Sequence, residues 1–162
     1  MNLALEPAAN RRDAFAIVAD RRGLLPLVIE KDFWVCWILE RIFALPEFTE
    51  HILFKGGTSL SKVYGVIQRF SEDIDLSLNR SFFGDALPDP ETAGSNSQRK
   101  HRSEVLVAAF HVAVGEQLLP KLRRAIAEQL GDENNVEERW MLTRDVTDPG
   151  TLRFTYPRAV ST

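Results

Sequence analysis

The run His51-Ile52-Leu53-Phe54-Lys55, broken at Gly56-Gly57 and resumed as Thr58-Ser59-Leu60-Ser61-Lys62, constrains the fold more than any other part of the chain. Its apolar core reads as a short buried strand, ended by two glycines whose backbone angles carry little penalty only for glycine. Thr58 or Ser59 can then cap a helix reaching to about Tyr64, its hydroxyl accepting an otherwise unpaired amide N–H. A strand, a turn and a helix start in this order aim free amides and the positive end of a helix dipole at one point. That point suits an anion such as a β- or γ-phosphate.

Farther on, Ile74, Leu76 and Leu78 alternate with Asp73, Asp75 and Ser77, the period of a strand with one apolar and one polar face. By that parity Asp73 and Asp75 share a face and can ligate one Mg²⁺, which takes one or two carboxylates together with substrate phosphates and water. With two metals, one can activate an attacking hydroxyl while the other steadies the triphosphate and departing pyrophosphate. Glu72 has the opposite parity and reads as a salt-bridge or capping residue. The glycine turn alone is also explained as a strand-to-helix connection, and Asp-x-Asp alone as a solvated strand face. Their conjunction points to nucleotidyl transfer. A glycosyltransferase holding a sugar nucleotide on Asp-x-Asp fits less well, because it leaves the glycine turn without a role.

At these residues the chain resembles the AbiEii/AbiGii toxin nucleotidyltransferases, which share the polymerase-β-like fold. The matching stretches are Glu30-Lys31-Asp32-Phe33-Trp34-Val35, Phe54 to Lys62, Arg69-Phe70-Ser71-Glu72-Asp73-Ile74-Asp75-Leu76 and, more loosely, Leu152-Arg153-Phe154-Thr155-Tyr156-Pro157. The resemblance implies an α/β (α+β) fold, a nucleotidyltransferase-like mixed β-sheet flanked by helices. It also implies Mg²⁺-dependent transfer of a nucleotide from a nucleoside triphosphate to an acceptor, with tRNA or another RNA as acceptor, a cognate antitoxin as partner, and a place in phage abortive infection. Asp73 and Asp75 would be the catalytic metal ligands, and Gly56, Gly57, Thr58 and Ser59 the triphosphate cradle. Lys62 would neutralise phosphate charge; for it and for Arg69 a surface ion pair is the alternative.

The resemblance further leads one to expect a third acidic residue, activating the acceptor hydroxyl, on a strand after Leu152 to Pro157. The sequence ends at Thr162 before such a strand, and Glu137, Glu138, Asp145 and Asp148 do not occupy that place. The expectation is therefore a single nucleotidyltransferase-like domain over 1–162 lacking a C-terminal portion. The alternative is a truncated or degenerate, non-catalytic module that binds nucleotide or antitoxin.

Composition narrows the setting. A chain of 162 residues with 44% hydrophobic content suffices for one core, and its single cysteine, Cys36, excludes an internal disulfide framework. No signal-peptide pattern is present and no run reaches about 18 uninterrupted apolar residues, so a cytoplasmic location without a membrane span is expected. With net charge −3, RNA contact would rest on local clusters such as Arg99-Lys100-His101-Arg102, Lys121-Leu122-Arg123-Arg124 or Arg153 with Arg158, each read more readily as a solvated helix face. His101, His111 and Cys36 lack partners at metal-ligand or catalytic spacing.

The remaining elements follow from punctuation. A helix from Arg11 to Arg22 ends at Gly23, and another starts at Pro26 and runs to about Leu45, apolar on several sides and hence buried, with Phe33, Trp34 and Trp37 in the core. Glu30, Lys31 and Asp32 suit the dipole of its first turns. Ser81 to Ser97 reads as a flexible loop, either a lid or plain disorder. Gln98 to Leu130 is helical, bent or split by Gly115 and Pro120. Strands around Val136 to Thr143 and Thr151 to Tyr156 form a hairpin through Asp148-Pro149-Gly150.

Overall fold

The computed structural model describes residues 2–56, 73–133 and 139–161. In chain order the elements are α1 (Ala8–Arg22), α2 (Pro26–Phe43), α3 (Pro46–Thr49), β1 (Ile52–Lys55), β2 (Asp75–Leu78), α4 (Asn96–Val112), α5 (Leu119–Leu130), β3 (Met141–Arg144) and β4 (Leu152–Thr155). The fold is mixed, helices around small sheets, as expected. Among the described residues the strands form two antiparallel ladders, β1 with β2 and β3 with β4. The expectation from sequence is one mixed sheet; periodicity marks a strand but does not name its neighbour, and the described strands pair two by two, each pair antiparallel.

The helix boundaries obey local chemistry. Gly23 closes α1 in the left-handed region at φ 65°, its N–H reaching the carbonyls of Ala19 and Asp20. Pro26 sits in the first turn of α2, where its missing N–H has no partner to lose. Between α4 and α5 the chain forms a π-helical stretch, Ala113–Leu118, the interruption expected from Gly115 and Pro120. Proline cannot donate to the carbonyl four residues back and collides with it, so the helix widens just before it. Gly115 serves a second purpose there. A Cβ on it would lie 2.6 Å from Nη1 of Arg144, whose guanidinium donates to the carbonyls of His111 (2.7 Å) and Pro149 (2.6 Å), fastening the β3–β4 hairpin to α4.

Residues 80–95 contain two short 3₁₀ turns, Arg80–Ala86 and Pro90–Thr92. Arg80 donates to the Leu87 carbonyl at 2.8 Å, and Arg102 of α4 to the Asp89 carbonyl at 2.7 Å. Ser95 caps α4 by accepting from the Gln98 N–H, which starts that helix slightly earlier than the sequence suggested. The continuous helical stretch Asn96–Leu130 is long and apolar enough, by length and composition only, to cross a membrane, although no uninterrupted apolar run marks it. Its last third is a core helix burying Leu122, Ile126 and Leu130.

The main core lies between α2, α5 and the inner faces of both ladders, with Trp34, Trp37, Ile38, Ile42, Phe48, Ile52, Leu122, Ile126, Trp140 and Leu142 buried. Stacked rings join α2 to the end of the hairpin, Trp37 on Phe154 and Trp34 on Tyr156 with centroids 6.0 and 5.5 Å apart. Arg123 of α5 donates through Nε and Nη2 to the Leu142 carbonyl of β3. Beside this core two buried charges hold the chain's last described turn. Arg11 bonds the carbonyls of Ala4, Glu6 and Pro157, and Glu30, fully buried, accepts from the backbone N–H groups of Ala159 (2.6 Å) and Val160.

Removing the Glu30 carboxylate tests the first of these attachments. Glu30→Ala leaves two covered amides without an acceptor and should lower unfolding free energy by about 2–3 kcal/mol, with Glu30→Gln costing roughly half as much, read from urea midpoints at unchanged slope. Asp145, at the start of the hairpin turn, accepts from Thr147 and Asp148 and pairs with Arg153, contacts that hold its carboxyl well below its ordinary 3.8. A lowered folded pKa means stability that is present above the unfolded value and is lost as pH falls. The melting-temperature gap between the wild type and Asp145→Asn should therefore be widest near neutrality and close as pH drops below about 4.

Candidate functional site

The site is built on the β1–β2 ladder. Its register pairs Ile52 with Leu78, Leu53 with Ser77, Phe54 with Leu76 and Lys55 with Asp75. Residues directly opposite in an antiparallel pair share a face, and faces alternate along each strand. Ile52, Phe54, Leu76 and Leu78 consequently turn inward to the core, while Leu53, Lys55, Ser77 and Asp75 turn outward.

At the outer end of this ladder stands Gly56, the first glycine of the turn expected from sequence and the only one of its residues described. Gly56 has φ 73°, a conformation that favours glycine. A Cβ there would lie 1.9 Å from Oδ2 of Asp75, so the carboxylate rests directly against the Gly56 backbone. Gly56 therefore does two things at once: it turns the chain and it leaves room for Asp75. This contact joins the glycine turn to the acidic strand, two motifs that are separate in sequence.

Of the residues singled out from sequence, Gly56, Asp73 and Asp75 are described, and the ladder brings Gly56 and Asp75 together. Asp75 is the first residue of β2 and exposed; Asp73 is also exposed and stands two residues before the strand begins. Gly57, Thr58, Ser59, Lys62, Arg69 and Glu72 lie outside the described residues. No group of three or more His, Cys, Asp or Glu side chains with metal-binding spacing occurs among the described residues. The donors in hand are instead the exposed carboxylates of Asp75, which rests against Gly56, and of Asp73 two residues earlier. Such hard oxygen donors fit magnesium, which completes its shell with water and phosphate oxygens.

Behind Asp75 a cavity of about 300 Å³ runs inward between the ladders, lined by Ile74, Leu76, Leu78, Phe110, Leu152 and Phe154 among others. The acids of the hairpin are occupied elsewhere. Asp145 takes the hydrogen bonds of its own turn, and Asp148 accepts from Gly150 N–H and Thr151 Oγ1, contacts that lower its pKa. Glu137 and Glu138 are outside the described residues. The sequence reading gave Lys55 no role of its own, since its place opposite Asp75 is set by the strand register.

Over residues 37–162 the chain matches the family described as nucleotidyl transferase AbiEii toxin, type IV TA system. No curated protein and no solved structure matches it.

The double duty of Gly56 can be measured against Gly23, which has a similar positive φ but nothing within 4 Å of the place a Cβ would take. Gly23→Ala should cost about 1 kcal/mol, the backbone term alone. Gly56→Ala should cost more than that, because a Cβ there must also push the Asp75 carboxylate aside; thermal unfolding of both variants by calorimetry compares the two costs.

Proposed function

Since the chain belongs to the AbiEii family of nucleotidyltransferase toxins, we propose that it binds a nucleoside triphosphate with Mg²⁺ at the Gly56/Asp75 end of the β1–β2 ladder and transfers the nucleotide to an acceptor hydroxyl. The observation that supports this reading is the packing of the Asp75 carboxylate on the backbone of Gly56, the first residue of the glycine motif. Asp73 and Asp75 would hold the metal, and Gly56 with Gly57, Thr58 and Ser59 would receive the triphosphate on backbone N–H groups, with Lys62 adding positive charge. When bound, magnesium would neutralise triphosphate charge and polarise the reacting phosphoryl oxygens. The acceptor hydroxyl gives up its proton to solvent as its oxygen bonds to the α-phosphorus, and the bond from that phosphorus to the α,β-bridging oxygen breaks, releasing pyrophosphate. Gly56 keeps the carboxylate and the turn in fixed relation, so the chain supplies position rather than covalent chemistry.

The acceptor we propose is tRNA or another RNA, and the setting is cytoplasmic, with a cognate antitoxin as partner. A second reading is a module that binds nucleotide or antitoxin without turnover. It is favoured by the commitment of Asp145 and Asp148 to the hairpin turn, which leaves neither to activate an acceptor.

Titration of the four ribonucleoside triphosphates into the protein, with and without Mg²⁺, tests the site. Binding should require the metal and be lost, by at least about tenfold in affinity, in the Asp73→Asn/Asp75→Asn double variant, whose fold should persist because both residues are exposed. Binding that is indifferent to both metal and substitution would overturn the assignment. Transfer of radiolabel from an α-labelled nucleotide to RNA separates the catalytic reading from the binding one.

A further inference from the structure

The outer face of the ladder carries a cation that the motif reading did not use. Lys55 stands directly opposite Asp75 in the register and immediately before Gly56. Opposite charges placed this way usually pair across the strands. Here the Asp75 carboxylate leans instead onto the Gly56 backbone. Beyond the backbone ladder, neither the Lys55 nor the Asp75 side chain takes part in a hydrogen bond or ion pair among the described residues, and both residues are exposed. The arrangement thus presents an unneutralised ammonium group and a free carboxylate side by side on one face, at the mouth of a glycine turn.

Resting on the nucleotide-binding reading above, we propose that Lys55 is a phosphate-binding residue of the site, contacting the triphosphate of a metal-bound nucleotide while Asp75 is engaged with the metal. The chemistry favours this division of labour. A lysine ammonium is a compact charge with three donors on a flexible stem, suited to following phosphate oxygens. Strand pairing fixes its Cα next to Asp75, so the ammonium reaches a ligand bound at that carboxylate without any movement of the backbone.

The test compares wild type, Lys55→Met and Lys55→Arg, each titrated with Mg²⁺-nucleoside triphosphate and, as a base-free probe, with Mg²⁺ and inorganic triphosphate at low and moderate salt. Thermal midpoints should agree, since the side chain is exposed. Lys55→Met should weaken both ligands on the order of tenfold, the worth of one charge-assisted hydrogen bond, and Lys55→Arg should restore most of it. Affinity in the wild type should also fall more steeply with salt than in Lys55→Met, a difference that a purely structural lysine would not produce. Equal affinity and equal salt dependence in wild type and Lys55→Met would overturn the assignment of Lys55 while leaving the site intact. Failure of the wild type itself to bind either ligand would remove the nucleotide reading, and this inference with it.

Discussion

Everything proposed for this chain depends on the register of one four-residue ladder. Lys55 and Asp75 are opposite each other because Ile52 meets Leu78 and Phe54 meets Leu76 on the inner face. A slip of one residue on either strand would turn that strand's apolar side chains toward water, each worth about 1.5–3 kcal/mol of burial, and press its charge toward the core at a further several kcal/mol. Against these sums the backbone bonds of alternative registers are nearly equivalent. The side-chain pattern therefore sets the register, and the site inherits its geometry from the core.

The core in turn is organised by α2. This helix is apolar on several sides because it faces several neighbours. Trp34 and Trp37 receive the rings of β4 and of the residue after it, Ile38 and Ile42 line the space beneath β1, and Glu30 ties down the backbone of the final residues described. A buried carboxylate satisfied by amide N–H groups stabilises only the arrangement that brings those groups to it, which makes Glu30 a device of specificity as much as of stability. Arg11 does the same from α1, joining the carbonyls of Ala4, Glu6 and Pro157. Chain segments far apart in sequence are thereby held by two side chains whose charge is spent on backbone.

The parts of this design that rest on local chemistry could be read from sequence. Gly23 and Pro26 mark helix ends, Asp148-Pro149-Gly150 marks the hairpin, and Gly115 with Pro120 marks the break between α4 and α5, since each is fixed by what glycine or proline can do with its own backbone. The conjunction of Gly56 and Asp75 was also legible, as two motifs near in sequence, though their direct contact was not. Partnerships set by the whole fold were less accessible. Glu30 reads locally as a residue suited to a helix dipole, whereas burial turns it into the acceptor for Ala159 and Val160, 129 and 130 residues away in the chain. Lys55 was hidden for a related reason: its partner across the ladder is known only once the register is known.

The charges at the end of the ladder impose an order on the proposed chemistry. Asp75 faces solvent directly opposite Lys55, so a divalent cation held at that carboxylate would offset its repulsion of a triphosphate and leave Lys55 to add to the attraction. Metal and nucleotide binding would then be mutually dependent, each raising the affinity for the other by the same factor, as linkage requires. Replacing Lys55 lowers the positive charge available to the nucleotide but relieves its repulsion of the metal, so the two ligands should respond to that change in opposite directions. Such a pattern belongs to a site whose parts act through charge, and a fold that merely keeps the glycine turn and the acidic strand as structural elements has no reason to show it.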